Sequence, residues 1–358
     1  MLSVPAPIEA KRIASKFPQE LGFVNIRALE ESDAKGCLEV LQDIGFAHFH
    51  HRKDGQTTIY SLAVLPEYQK KGWGRLLFYR VLCSSIEAGC DAYGGSRSDL
   101  RIFLKCPVDL KANSFYEALG FKLVGTDPGK KRPLNCWEYK IKLPLLFYCG
   151  GGGKSRYDAI ASNIGWQLGI NSGGKIKSHL HMKMVDNDYR NYNHTKHLEM
   201  VRQNKPLICT ARDIEFPEQL PEILEQAAEL SKYAGRVLLI PKCDVSLPEK
   251  YWLGYSVPSG HGATSLNPEW FGDRPVHLLG GSPIKQAVLY PQMNVVSLDA
   301  NYSMNVAKHC KSVYSDGFQN IWSRESGCYQ ALEQSLVEQY TYWADPPLQK
   351  YVQLSLLS

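Results

Sequence analysis

The feature that most constrains this chain is a short glycine- and lysine-rich turn. Gln69-Lys70-Lys71-Gly72-Trp73-Gly74-Arg75 stands between a strand-like run, Thr57–Leu65, and an apolar stretch with the character of a helix, Gly74–Ala88. A strand, a turn of this kind and a helix bring backbone N–H groups and the partial positive charge of a helix N-terminus to one spot. Glycines let that backbone approach a ligand closely. Lys70, Lys71 and Arg75 add full positive charges. The group that such a cradle suits is a pyrophosphate. A lone Gly-x-Gly would be weak evidence, because a glycine turn usually serves geometry alone. Here the strand, the helix and the basic residues agree.

Around the turn the pattern mixes short strands and helices. Phe23–Leu29 is expected as a strand and Ser32–Asp43 as a helix. Phe46–His51 and Thr57–Leu65 flank the turn Lys53-Asp54-Gly55-Gln56, which signals a hairpin. A helix at Gly74–Ala88, a strand at Arg101–Cys106, a helix at Ala112–Leu119 and a strand pair at Phe121–Val124 and Asn135–Ile141 follow.

A second motif stands downstream, Ala112-Asn113-Ser114-Phe115-Tyr116-Glu117-Ala118-Leu119-Gly120-Phe121. With the Gln69–Arg75 loop after a strand ending Val-x-Pro, it resembles the GNAT N-acetyltransferase family over roughly residues 20–143. The resemblance implies a mixed α+β domain that binds acetyl-CoA or another acyl-CoA. It implies cofactor contacts from Ala63, Val64, Gln69, Lys70, Lys71, Gly72, Trp73, Gly74 and Arg75. It places Tyr116 beside the sulfur, where the phenol protonates the leaving thiolate. A packing aromatic beside Phe115 and Phe121 is the alternative for Tyr116. Asp109 stands where the family often has Asn, which bears on one hydrogen bond near the cofactor. Many relatives carry a Glu on the strand before the loop, but Tyr60, Ser61 and Leu62 offer no carboxylate. His48, His50 and His51 on the neighbouring strand are candidates to take a proton from an amine, with a surface role as the alternative for each.

Near residue 145 the rhythm changes to strand, loop and helix, repeated. The expected strands are Leu146–Cys149, His181–Val185, Leu207–Ala211, Val237–Pro241, Leu253–Val257, Val276–Leu279 and Val295–Leu298. They are short and apolar, as strands buried on both faces of a parallel sheet are. Pro217–Tyr233 is the clearest helix between them, and Ser323–Trp343 reads as an amphipathic closing helix. This predicts a (β/α)-barrel, complete or partial, after the GNAT-like domain. The expected fold class is therefore α/β, with domains at 1–143 and 144–358. A chain of 358 residues supports that division, being too long for one ordinary core.

Several barrel strands end in polar or glycine-rich steps: Asp186-Asn187-Asp188, Arg212-Asp213, Lys242-Cys243-Asp244, Gly280-Gly281-Ser282 and Asp299. One Asp after a strand is usually a turn or cap residue. Several at the C-terminal ends of barrel strands converge on one cavity. In this order the steps resemble tRNA-guanine transglycosylases and their DNA-directed relatives. The compared segments include Gly254-Tyr255-Ser256-Val257 and His277-Leu278-Leu279-Gly280-Gly281-Ser282-Pro283. The resemblance implies Asp299 as the nucleophile at an anomeric carbon and Asp186 as the acid/base. It implies Asp213, Gly254, Tyr255, Gly280 and Gly281 as substrate contacts. Asn187-Asp188 replaces the family's Ser-Gly, and the zinc ligands usual in the tRNA enzymes are missing. A barrel with capping aspartates and an unrelated ligand is the alternative.

Gly150-Gly151-Gly152-Gly153-Lys154-Ser155 imitates a nucleotide-binding P-loop, but Tyr148 stands where its first glycine belongs. A flexible turn at the barrel mouth is the better reading. The ten cysteines form no Cys-x-x-Cys pair, so no metal is expected. No run has the length of a membrane span and Met1–Pro7 lacks a leader pattern, so a cytoplasmic protein without a membrane partner is expected. A net charge of +5 permits a polyanion without demanding one. Basic residues interleave with aromatics at Lys130-Lys131-Arg132, at Lys175, Lys177, His179 and His181, and at Tyr189, Arg190, Tyr192 and His194. Such segments grip a nucleic-acid backbone or serve as solvated faces. DNA or RNA is therefore an expected partner beside acyl-CoA. Besides a GNAT fold that binds acyl-CoA weakly or not at all and serves as a nucleic-acid-docking module, two readings follow from the sequence. One is acylation of a nucleobase in a modification of viral or mobile-element type. The other is acetylation of a small-molecule or protein amine, with the barrel as a binding module.

Overall fold

The computed structural model describes residues 4–92, 99–150, 155–175, 180–259, 262–313 and 327–344. The chain divides into two compact units, Met1–Lys142 and Leu143–Ser358.

The first unit runs α1 (Ala6–Ala14), α2 (Pro18–Leu21), α3 (Ile26–Asp33), β1 (Leu38–Leu41), β2 (Gly45–His51), β3 (Gln56–Val64), α4 (Trp73–Ala92), β4 (Arg101–Pro107), α5 (Ala112–Leu119), β5 (Lys122–Asp127) and β6 (Leu134–Lys140). Its sheet has the order β1-β2-β3-β4-β6-β5 and is antiparallel except between β3 and β4. Two expectations fail at its start. Phe23–Leu29 alternates like a strand, but the Asn25 side chain accepts the Arg27 N–H at 3.0 Å and caps α3. The helix expected over Ser32–Asp43 stops at Asp33, because the turn passes through Gly36 at φ +66° and the chain re-enters the sheet as β1.

The sheet opens beside the loop. β3 pairs with β4 only from Gln56–Arg101 to Ile59–Leu104. Beyond that, Ser61–Val64 follow β2 alone and Lys105–Pro107 follow β6 alone. The register jumps where Phe49 faces Ile59 and His48 faces Ser61, leaving Tyr60 as an extra residue. A bulge of this kind bends its strand away from a neighbour. α4 lies across β2 and β3, with Leu76, Leu77, Val81, Cys83 and Ile86 wholly buried.

The second unit runs β7 (Leu145–Tyr148), α6 (Ser155–Ile164), β8 (Gln167–Asn171), β9 (Met184–Asp186), α7 (His194–Asn204), β10 (Ile208–Ile214), α8 (Leu220–Leu230), β11 (Arg236–Pro241), β12 (Trp252–Ser256), β13 (Val276–Leu279), α9 (Pro283–Leu289), β14 (Val295–Ala300), α10 (Tyr302–Ala307) and α11 (Cys328–Ala344). Strands β7 to β14 pair in parallel in chain order, and β14 pairs with β7 to close a barrel. One of its strands, β8, is absent from the sequence expectation. Gly169 lies at its centre, and glycine weakens a strand pattern. The reason for Gly169 is spatial: a Cβ there would meet Cys149 Sγ. Along each strand alternate residues face outward. Leu146, Tyr148, Val185, Leu239, Leu253 and Leu298 join the outer core with Ala161, Ile223, Ala227 and Leu336 of the helices. Their neighbours point into the barrel. Of the glycine run that imitates a P-loop, residues 151–154 lie outside the described residues, as do Lys177 and His179.

Candidate functional site

The first candidate site lies where α4 begins against the opened sheet. The loop into α4 is left-handed at Lys70 (φ +58°) and Gly72 (φ +83°), and Gln69 Nε2 donates to the Val64 carbonyl at 2.9 Å. A side chain at Gly72 would strain that backbone. Gly74 is fixed by space, since a Cβ there would stand 3.1 Å from Phe115 Cζ. The loop and α5 therefore touch, which sets Tyr116 beside the opened end of β4. Asn113 fastens α5 further: its Nδ2 donates to the Pro107 carbonyl at 2.8 Å, and its Oδ1 accepts from Trp137 Nε1 at 2.9 Å. Asp109 turns instead to Arg132, 3.2 Å away.

Three charges surround the loop. Lys70 and Lys71 are exposed. Arg75, in the first turn of α4, is partly buried, and its Nε has no hydrogen-bond partner among the described residues. Burial weakens its hold on its proton. A half-buried guanidinium without an acceptor is costly unless an anion completes it. Tyr116 is buried, with its ring 5.8 Å from that of Phe121. Burial first, and nearby Cys106 second, push its phenol above the usual range, so it keeps its proton at neutral pH.

The three histidines of β2 separate. His51 is held by Thr57 Oγ1 at 2.8 Å and by Ser84 Oγ of α4 at 3.0 Å, which makes it part of the packing. His48 faces the other side of the sheet. Its Nε2 lies 2.9 Å from Ser32 Oγ of α3, and its ring stacks 5.2 Å from Tyr60 at the bulge. Burial, with His50 nearby, lowers its affinity for a proton, which leaves it neutral near pH 7.

The second candidate site is the mouth of the barrel at the C-terminal ends of its strands. Asp186 and Asp299 point inward from β9 and β14. The Thr210 hydroxyl accepts the Asn187 N–H at 2.7 Å and donates to Asp186 Oδ1 at 2.9 Å. Asp299 Oδ1 accepts the Gly280 N–H at 2.6 Å. Asp186 is pushed up to about 7, by burial first and the charge of Asp299 next, with Asp213 adding to both against the pull of Thr210. Cys149 stands near both carboxylates, and its thiol is held protonated by burial and by their charges. Asp213 is ion-paired with Lys242 at 3.3 Å.

Thus Asp186, Asp299, Asp213 and Gly280 meet at one mouth. Tyr255 does not join them. It points to the outer layer, its ring 5.2 Å from Phe271, because residues next to each other on a strand face opposite ways. Gly254 belongs to the inner wall, where a Cβ would stand 2.8 Å from Leu279 Cδ1, and Gly281 (φ +79°) packs on Val257. Thr210, His277 and Cys149 are site residues that strand ends alone do not reveal. The inward alternation from Asp186 and Asp299 is the signal that finds them. Among the described residues no group of three His, Cys, Asp or Glu side chains is set to hold a metal ion, and no helix is long and apolar enough to cross a membrane.

A family model described as "Family of unknown function (DUF6610)" matches residues 161–344, more than half of the chain, and the chain belongs to that family. A second model, "Acetyltransferase (GNAT) domain", matches residues 34–123. No curated protein matches the chain. Among solved structures, Ard1 from Thermoplasma volcanium is 16% identical over 37% of this chain and 90% of its own, with a TM-score of 0.32. The ribosomal-protein-S18-alanine N-acetyltransferase from Escherichia coli is 17% identical over 38% and 88%, with a TM-score of 0.28. A Bacillus subtilis acetyltransferase in complex with CoA is 16% identical over 27% and 68%, with a TM-score of 0.23. The first unit is accordingly a GNAT mixed α/β domain, followed by a closed parallel barrel with helices.

Proposed function

We propose that this member of the DUF6610 family is an acyl-CoA-dependent N-acyltransferase, with acetyl-CoA as the plain candidate for the acyl donor. The observation that carries the reading is Arg75: a half-buried guanidinium with an unpartnered Nε, behind a loop whose backbone is left-handed at Lys70 and Gly72. A pyrophosphate supplies an acceptor for the Arg75 Nε, and the glycine loop and the α4 N-terminus favour an anion at that place. The strand edge at Ala63 and Val64, freed where β3 leaves β4, offers backbone groups to the donor's extended arm. When bound, the donor supplies an acyl thioester. Tyr116, protonated throughout the neutral range, gives its proton to the departing sulfur. His48, neutral and anchored by Ser32, takes the proton of the attacking amine.

The test is titration calorimetry with acetyl-CoA. Arg75→Gln should weaken binding about tenfold or more, the worth of a hydrogen bond to a charged group, without lowering the melting temperature. Unchanged affinity would sink the reading. Gly74→Asp is the poorer variant, since it also drives into Phe115.

For the barrel we propose glycosidic-bond chemistry at a nucleobase of DNA or RNA, which makes that base the acceptor or its precursor. The supporting observation is the division of labour between two inward carboxylates. Asp186 holds a proton near neutral pH and can give it to a departing base, while Asp299 can engage the anomeric carbon. Base release or exchange from DNA or RNA, abolished by Asp299→Asn, tests it. If Asp299→Asn and Asp186→Asn change no such activity, the barrel instead serves an acetyltransferase of a small-molecule or protein amine as a binding module.

A further inference from the structure

Inside the barrel, one rung below Asp299, lies a histidine that the carboxylate chemistry above does not use. His277 on β13 is wholly buried, with its ring 6.0 Å from that of Phe147. Its neighbour in register on β14 is Ser297, and Asp299 follows two residues later on the same face of that strand. His277 Nδ1 lies 2.8 Å from Ser297 Oγ. Its Nε2 lies 3.6 Å from Asp299 Oδ1 and has no hydrogen-bond partner among the described residues.

This placement fixes the tautomer. A bare Nε2 on this wholly buried ring would set its lone pair against those of a carboxylate. With the proton on Nε2, the ring presents N–H to Oδ1, and Nδ1 accepts from the Ser297 hydroxyl. Oδ1 then accepts the Gly280 amide, and the His277 Nε2–H faces it from 3.6 Å, beyond hydrogen-bond reach in this structure. Oδ2 has no partner among the described residues and is the oxygen left for a ligand. The backbone of Asp299 is held as well: Gln286 Nε2 donates to its carbonyl at 2.7 Å and to that of Gly280 at 2.8 Å. Both ends of Asp299 are thus restrained.

We propose that His277, anchored by Ser297, is a positioning residue for Asp299: its Nε2–H, 3.6 Å from Oδ1, attracts that edge of the carboxylate and closes to a hydrogen bond when a ligand engages Oδ2 at the barrel mouth. This rests on the reading of the barrel as a carboxylate site.

The test begins with the full chain labelled with ¹⁵N-histidine. Long-range ¹H–¹⁵N correlation should show His277 as the Nε2–H tautomer, and Asp299→Asn should shift its Nε2 resonance. A protonated Nδ1 with a bare Nε2, or a resonance indifferent to Asp299→Asn, overturns the proposal. The functional arm compares base release from DNA and RNA oligonucleotides by His277→Phe, which keeps the ring's bulk, and His277→Gln, which keeps an N–H donor. His277→Phe should lose about ten- to a hundredfold in kcat/KM, and His277→Gln should regain a good part of it. Equal loss in both variants at unchanged melting temperature overturns the positioning role. If the parent protein releases no base from any oligonucleotide, the glycosidic reading falls, and the tautomer experiment alone then decides the contact with Asp299.

Discussion

A guanidinium drawn partly out of water destabilises the chain when its donors go unmatched, and the Arg75 Nε has no acceptor among the described residues. Tyr116 is different in kind, because burial keeps its phenol protonated and the fold loses nothing by holding it so. Tyr116→Phe keeps the ring among Phe115 and Phe121 and removes only the proton donor. It should leave acetyl-CoA affinity within a factor of about two and lower kcat roughly a hundredfold, the low end of what a positioned acid contributes. Equal kcat in a stopped-flow thiol-release assay would return Tyr116 to a packing role. Asp186 carries a pH prediction. Its ordinary value of 3.8 rises to about 7 in the fold, so between those limits the folded chain binds the proton more tightly than the unfolded one. Protonation favours the fold at low pH, and stability drains away as pH climbs from about 4 to about 7, by at most about 1.4 kcal/mol per pH unit. Asp186→Asn removes that loss. Its melting temperature relative to the parent should climb through this window and level off above it. Asp158, also raised, to about 6, remains in both proteins and cancels from the difference. A flat difference across pH 4–8 by calorimetry contradicts the raised value.

At the scale of elements, what was legible in the sequence was what local chemistry decides. The Gln69–Arg75 loop was readable because its glycines and charges serve a ligand and a helix start together. α5 was readable from its own apolar spacing, and the apolar barrel strands from their short, uninterrupted runs. The errors came where a cap or a contact between strands overrode the apparent hydrophobic pattern. Phe23–Leu29 alternates as a strand does, yet the Asn25 cap turns it into α3. β8 hides because Gly169 leaves room for the Cys149 side chain at the end of the preceding strand, β7. The same alternation separates Tyr255, which faces outward, from the site its segment was expected to serve. The Gly169–Cys149 contact can be measured. Gly169→Ala should destabilise by about 2 kcal/mol or more, as overpacking of a filled core does. Cys149→Ala should recover most of that in the double variant, because the side chain that the new methyl meets is gone. Denaturant melts of the four proteins give the coupling directly. Additive losses would mean that Met184, which also lies within 3.2 Å of such a methyl, dominates.

For the molecule as a whole, the question is whether its two units act on one product. The first unit offers a place for an anionic donor and a proton donor beside it. The second offers a pair of inward carboxylates, of which Asp186 is raised to about 7. Neither chemistry needs the other to operate, and the function proposed above joins GNAT domain and barrel through a common substrate. If that substrate is a nucleobase, the two sites leave separable traces in the nucleosides of cells that express the protein. The parent protein should yield an acylated base, detected by mass spectrometry of enzymatic digests of DNA and RNA. Arg75→Gln should abolish the acyl mass increment while any base exchanged by the barrel persists. Asp299→Asn should abolish both if exchange delivers the amine that is acylated. It should spare acylation if the amine was present in the polymer already. An acyl increment that appears only in small molecules or in proteins, and that survives Asp299→Asn, would assign the barrel to binding. Asp186 and Asp299 would then hold a ligand by its hydrogen-bonding edge and would break no bond.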